Sequence, residues 1–226
     1  MSRGMWQELR DVFERLQLRS DVRAVIVNGE GGHFCAGGDI SEYAAFRFEE
    51  ASLRDFHEQD VWGALSAMLA CDVPVLASLS GNCMGAGMEI ASCCDLRLAG
   101  QSAKFGAPIA RLGFPMAPRE AALVARVAGE LTAREMLLSA AVLGAPTLLQ
   151  RGFLNAVHED AQLDAQVLDL AQSMVRLAPT AARLNKQTLR ALLGAVQSPS
   201  GAYDYAASQE HREGVTAFIE KRSPQF

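Results

Sequence analysis

The chain has 226 residues, 50% of them hydrophobic, enough to bury one large core. Its 21 lysines and arginines against 26 acidic residues leave a net charge of -5 with no basic cluster, which excludes nucleic acid and an anionic membrane surface as the principal partner. No apolar run approaches the roughly 18 residues that cross a bilayer, and the opening MSRGMWQELR has no signal-peptide core, so a cytoplasmic location is expected.

Met5, Trp6, Leu9, Val12, Phe13 and Leu16 recur at helical spacing and predict an amphipathic helix over 3–17. VRAVIVNGEGG (22–32) is a β-branched run ending in Asn-Gly and paired glycines, a buried strand that gives way to the loop HFCAGGDI. Helical periodicity returns from about Ser52 to Leu69. Pro74 then opens a central strand over 73–80, followed by the glycine-rich GNCMGAGMEIA and a helix starting near Gly85 or Ala86. DLRLAG (95–100) and AKFGAP (103–108) read as two further strands. Pro118 suits the first turn of a helix that Gly129 stops, and Thr132 with Glu135 forms a capping box for the next helix. Helices dominate from Ala161 to Val196 and from about Tyr203 to Lys221, hinged at QSPSG (197–201). Alternating strands and helices before a helical tail predict an α/β fold. We divide it into a core over 1–140 and a helical region over 141–226.

The five cysteines, Cys35, Cys71, Cys83, Cys93 and Cys94, are odd in number and include no CxxC pair, so buried free thiols and a reducing compartment are expected. No spacing of ligand residues calls for a metal. His33 reads as a loop residue, and His57, His158 and His211, set among charges, read as solvated.

Two stretches carry chemistry. The first amides of a helix have no intrahelical partner and sit at its positive end, and the small residues at 85–87 let an oxygen approach them. The loop FCAGGD (34–39) exposes its backbone in the same way, so each loop can give one N–H to a single oxygen. Between them stands one carboxylate, Glu89, in an otherwise small and apolar run where an ionised group is costly to bury. It is either a helix-terminal acid that favours the dipole or a general base.

HFCAGGDI, VPVLASLSG leading into GNCMGAGMEIASCCDLRLAG, the AKFGAP strand and the terminal REGVTAFIEKRSPQF together resemble the crotonase superfamily, the enoyl-CoA hydratase/isomerase family, in order and spacing along nearly the whole chain. The resemblance implies a crotonase (ClpP-like) fold of repeated ββα turns with a helical C-terminal region that builds trimers or dimers of trimers. It implies an acyl-CoA thioester as substrate, with coenzyme A present as part of the substrate and no separate cofactor. The amides of Gly38 and Ala86 then hold the thioester oxygen as it becomes an enolate, and Glu89 matches one of two family glutamates that act as general base and acid. Ala36, Asp39, Ile40, Gly85 and Ile109 fall on substrate-binding positions. Phe218 and Lys221, three apart on one helical face, match residues that reach a neighbouring subunit's coenzyme A.

The second family glutamate is replaced by Ile109, which neither holds water nor donates a proton. Glu120, in the first turn of a helix, and Arg111 are the substitutes to weigh, against a plain dipole-favoured acid and a solvent-facing arginine. The strand pair that precedes the first helix in the family is also missing, which reads as a start internal to a longer protein or an impaired form. Hydration of a 2-enoyl-CoA is the default reaction. Isomerisation, thioester hydrolysis or decarboxylation on the same site, and a silent acyl-CoA-binding paralogue, are the alternatives.

Overall fold

The structure, a computed structural model, describes residues 1–192 and 208–226, without the side chains of Ala44, Leu192, His211 and Phe218. The expected hinge at 197–201 lies outside the described residues.

Helix α1 (Arg3–Gln17) begins where expected, with the Ser2 hydroxyl accepting from the Met5 amide at 3.2 Å. Its buried stripe is narrower than the sequence pattern: Trp6 and Phe13 are each 2% exposed, whereas Met5 and Val12 face outward. Strand β1 (Val25–Asn28) follows, and after the loop the chain forms α2 (Glu50–Asp55), one π-helical segment (Phe56–Val61) and α3 (Trp62–Ala70). The helix expected over 52–69 is therefore one unbroken helical run that widens to a π turn in its middle. It leads to β2 (Val75–Leu79), which is buried at every position, as a strand covered on both faces should be.

The glycine-rich stretch adds a short strand, β3 (Asn82–Met84), before α4 (Ala86–Cys93). Then come β4 (Leu96–Gly100), β5 (Lys104–Gly106), α5 (Pro118–Ala128) and α6 (Glu130–Leu138). Pro118 occupies the first turn of α5 as expected, but Thr132 does not cap α6. That helix starts two residues earlier, after Gly129 at φ 87°, and Thr132 is 2% exposed inside it. Two short strands that the sequence pattern does not announce, β6 (Val142–Gly144) and β7 (Ala156–His158), flank α7 (Ala145–Gln150). The helical stretch expected after Ala161 holds α8 (Leu163–Val175) and α9 (Pro179–Leu192), separated because Pro179 offers no amide to continue a helix. The last element is α10 (Gln209–Glu220).

Successive turns of the chain lay one strand in each of two sheets. The first sheet runs β1-β2-β4-β7, all parallel; the second runs β3-β5-β6, with β3 and β5 parallel and β5 and β6 antiparallel. Parallel neighbours need a crossover, and the α2–α3 run and α4 supply the first two. This is the spiral of ββα turns expected of the fold. The core between sheets and helices holds Leu65, Met68, Met88, Phe105, Met136 and Phe153, all essentially unexposed. All five cysteines are free thiols, four of them buried and Cys35 half-buried. Helix α9 docks through charge: Lys186 meets Asp95 and Arg190 meets Asp72, each at 2.7 Å. Among the described residues no helix is long and apolar enough to cross a membrane.

Candidate active site

Two turns of the spiral bring the small-residue loops side by side. Cys35 and Cys83 form a parallel bridge, with the Cys35 amide donating to the Asn82 carbonyl at 3.0 Å and the Met84 amide to the Cys35 carbonyl at 2.9 Å. Both segments run the same way, so residues 36–38 and 85–86 leave the bridge at one end. Helix α4 packs against the first loop because residue 87 is glycine: a Cβ there would lie 3.0 Å from both Cβ and the carbonyl oxygen of Cys35. Gly85 turns the chain into α4 at φ 49° and ψ -107°, a conformation L side chains rarely adopt. Among the described residues neither the Gly38 nor the Ala86 amide donates to a protein acceptor. Gly85→Ala is expected to cost about 1–2 kcal/mol of stability through this backbone strain, read as a lower denaturant midpoint at unchanged slope.

Both loops line a chamber of about 200 Å³, together with Ile40, Tyr43, His57, Glu89 and Ile109. Glu89 stands three residues into α4 from Ala86, on the same helical face. It is half-buried, and among the described residues no protein group hydrogen-bonds its carboxyl. Burial first, and then the nearby Glu120 charge, push it from the ordinary 4.5 up to about 8. The far end of α4 is held by Arg97, whose guanidinium donates to the Ala91 carbonyl at 3.2 Å and to that of Cys94. Ile109 lines the chamber, its Cγ2 4.0 Å from where a Cβ on Gly85 would sit. A second, larger cavity of about 860 Å³ shares Ile40, Tyr43, Arg47 and His57 with the first and extends between residues 47–58 and 112–118.

The other sequence candidates divide. Ala36 and Gly85 line the chamber, whereas Asp39 is exposed and caps a 3₁₀ turn (Ile40–Ala45), accepting from the Ser41 amide at 3.1 Å. Arg111 is exposed, donates to the Ala140 carbonyl at 3.3 Å and lines neither cavity. Glu120 is 2% exposed in the first turn of α5, with its Oε1 3.2 Å from His57 Nδ1. His57 is thus not the solvated residue its charged neighbours imply: the π turn places it half-buried on the cavity wall, and Glu120 holds it there. His158 too is half-buried, in β7. His33 is the exposed loop residue expected, its Nδ1 accepting from the Asn82 amide at 3.1 Å. Lys221 lies just past α10, exposed and apart from the chamber, and the Phe218 and His211 side chains are outside the described set.

Sequence reasoning also missed Tyr43 and Arg47. The Tyr43 hydroxyl abuts Gly38, where a Cβ would lie 2.0 Å from it, and burial pushes that hydroxyl up. The signal was an aromatic-rich run with a single arginine, YAAFRF (43–48), a few residues after the first loop.

The family model for enoyl-CoA hydratase/isomerase matches residues 1–226. The chain belongs to this family, within the crotonase superfamily. It is 30% identical to the short-chain-enoyl-CoA hydratase of Clostridium acetobutylicum, over 96% of this chain and 84% of that protein. It is 29% identical to the 2,3-dehydroadipyl-CoA hydratase of Escherichia coli, over 100% of this chain and 89% of the relative. Among solved structures, an enoyl-CoA hydratase/carnithine racemase from Magnetospirillum magneticum superposes with a TM-score of 0.95 at 33% identity, covering 100% of this chain and 86% of that one. The ββα spiral and its paired loops are therefore the enoyl-CoA hydratase/isomerase fold.

Proposed function

We propose that this enoyl-CoA hydratase/isomerase adds water to 2-enoyl thioesters of coenzyme A. The observation that carries the reading is an unpaired carboxyl, Glu89, on the wall of the chamber that also receives two small-residue loops with free amides. The thioester oxygen accepts from the Gly38 and Ala86 amides. Glu89 takes a proton from water as the water oxygen bonds to C3, and the π electrons of the C2–C3 double bond pass to the carbonyl oxygen, giving an enolate. Glu89 then returns that proton to C2 and the carbonyl re-forms, so one carboxyl serves both steps. A carboxyl titrating at about 8 exchanges protons readily near neutrality, and each amide aimed at the enolate oxygen is worth on the order of 3 kcal/mol. Relatives named as hydratases support the choice of reaction.

A single carboxyl on the chamber wall, Glu89, supports a second reading, double-bond isomerisation, in which that carboxyl moves a proton between C2 and C4 and no water is added. The two part in one experiment. Incubated with crotonyl-CoA, a hydratase removes the ultraviolet absorbance of the conjugated thioester and forms the 3-hydroxyacyl product. Conversion of a 3-enoyl-CoA to the conjugated isomer, with no hydroxyacyl product from crotonyl-CoA, would replace hydration with isomerisation. By the same reading the assembly is a cytoplasmic homotrimer or pair of trimers, in which Phe218 and Lys221 of one subunit meet coenzyme A held by the next.

A further inference from the structure

Among the described residues the charged side chains that line the larger cavity pair with partners except at one position. On the larger cavity Glu50 pairs with Arg54 at 2.7 Å, and Glu58 pairs with Arg119 at 3.1 Å. His57 faces the Glu120 carboxyl at 3.2 Å. Glu89 lines only the smaller chamber and is not among the groups that act on Arg47.

Arg47 remains. It lines both cavities, and among the described residues no carboxylate meets its guanidinium. Its neighbours are rings: the guanidinium carbon lies 3.8 Å from the centroid of Phe114 and 4.4 Å from that of Tyr43. Such contacts fix the plane of the group and are favourable by about 1 kcal/mol each, yet a ring face is no substitute for an anion at the N–H edge. Burial lowers Arg47 from its ordinary value, opposed by the Tyr43 hydroxyl. A half-buried, immobilised guanidinium without a counter-ion is a preformed carboxylate receptor, because its fork of donors matches the two oxygens. An alkyl tail in the same place would strip water from the cation and return nothing.

We infer that Arg47 binds a carboxylate carried on the acyl chain, so that the substrate is the coenzyme A thioester of a carboxylated acyl group and not of a plain fatty acid. This rests on the acyl-CoA reading above. With the thioester at the paired amides, the chain passes Tyr43 and Arg47 towards the larger cavity, and its terminal charge is neutralised on the way.

The test compares three ligands by calorimetry: hexanedioyl-CoA, hexanoyl-CoA and coenzyme A itself. All lack a reactive double bond, so the result does not depend on which reaction the site performs. The unsubstituted protein is expected to bind hexanedioyl-CoA at least about tenfold more tightly than hexanoyl-CoA. In Arg47→Met, which keeps an apolar stem against both rings, the ratio falls to about one while hexanoyl-CoA and coenzyme A bind within about threefold of before. Equal affinity of the unsubstituted protein for the two thioesters would overturn the inference, and that arm needs no variant to fold. Equal weakening of all three ligands by Arg47→Met would overturn it as well, assigning the guanidinium to the coenzyme's phosphates. A tenfold ratio in the unsubstituted protein that Arg47→Met abolishes, beside no hydration of 2-hexenedioyl-CoA, leaves Arg47 as the acyl-carboxylate receptor and removes only the proposed reaction; a tenfold ratio that persists in Arg47→Met overturns the inference.

Discussion

Glu89→Gln is expected to lower kcat about 10³-fold while acyl-CoA affinity stays within about threefold, because the amide keeps the shape of the carboxyl and loses its proton transfer. The unsubstituted enzyme should show kcat/KM rising with pH towards a plateau above about 8, as the base form accumulates. Turnover within tenfold of the parent, or a flat profile from pH 6 to 9, would remove Glu89 from the chemistry. The same substitution has a signature in stability. The carboxyl titrates near 4.5 in the unfolded chain and at about 8 in the folded one, so between these values the folded state holds the extra proton. Stability contributed by the protonated group is complete below the lower value and is lost as pH climbs through the upper one. Glutamine has no such loss. Melting temperatures of the two proteins should lie close together at pH 5 and diverge by pH 9 in favour of Glu89→Gln. A constant gap would mean that the carboxyl is ionised in the folded state throughout.

The second large effect is expected from Ala86→Pro. Proline is well tolerated at the first position of a helix, where its missing N–H costs no intrahelical bond, and Ala86 holds that position in α4. The donor it deletes is one of the two amides proposed to hold the enolate oxygen. We expect kcat to fall about 10²- to 10³-fold with little change in melting temperature, the usual consequence of removing one such donor. Stopped-flow or steady-state hydration rates beside a thermal melt check both halves. Near-parental turnover in a folded variant would show that this amide does not meet developing charge.

Much of this was written in the chain. The α1 periodicity, the apolar β2 run and the glycine stretch gave their elements within a few residues, because each carries enough positions for its period to show. Strands β6 and β7 have three residues each, too few for any alternation, and exist only because β5 and β4 present an edge to pair with. Thr132 misled because a Thr-x-x-Glu spacing also occurs inside a helix, and the true start was set by the backbone turn at Gly129. The paired loops were legible since closeness of backbone demands glycine and alanine, and a lone acid beside them stands out. His57, Tyr43 and Arg47 were not. The π segment alters the face His57 presents, and the 43–58 stretch becomes a wall only when residues 108–118 pack opposite it.

The Cys35–Cys83 bridge separates two duties. It clamps the amide donors to one another through the central framework, whereas the walls that meet the acyl chain belong to surface excursions either side of it. Substitutions at 43–58 or 108–118 can thus retune which tail is accepted without disturbing the polarising seam. A library confined to those two excursions should therefore yield folded proteins with altered acyl preference far more often than one that touches 35–38 or 82–87.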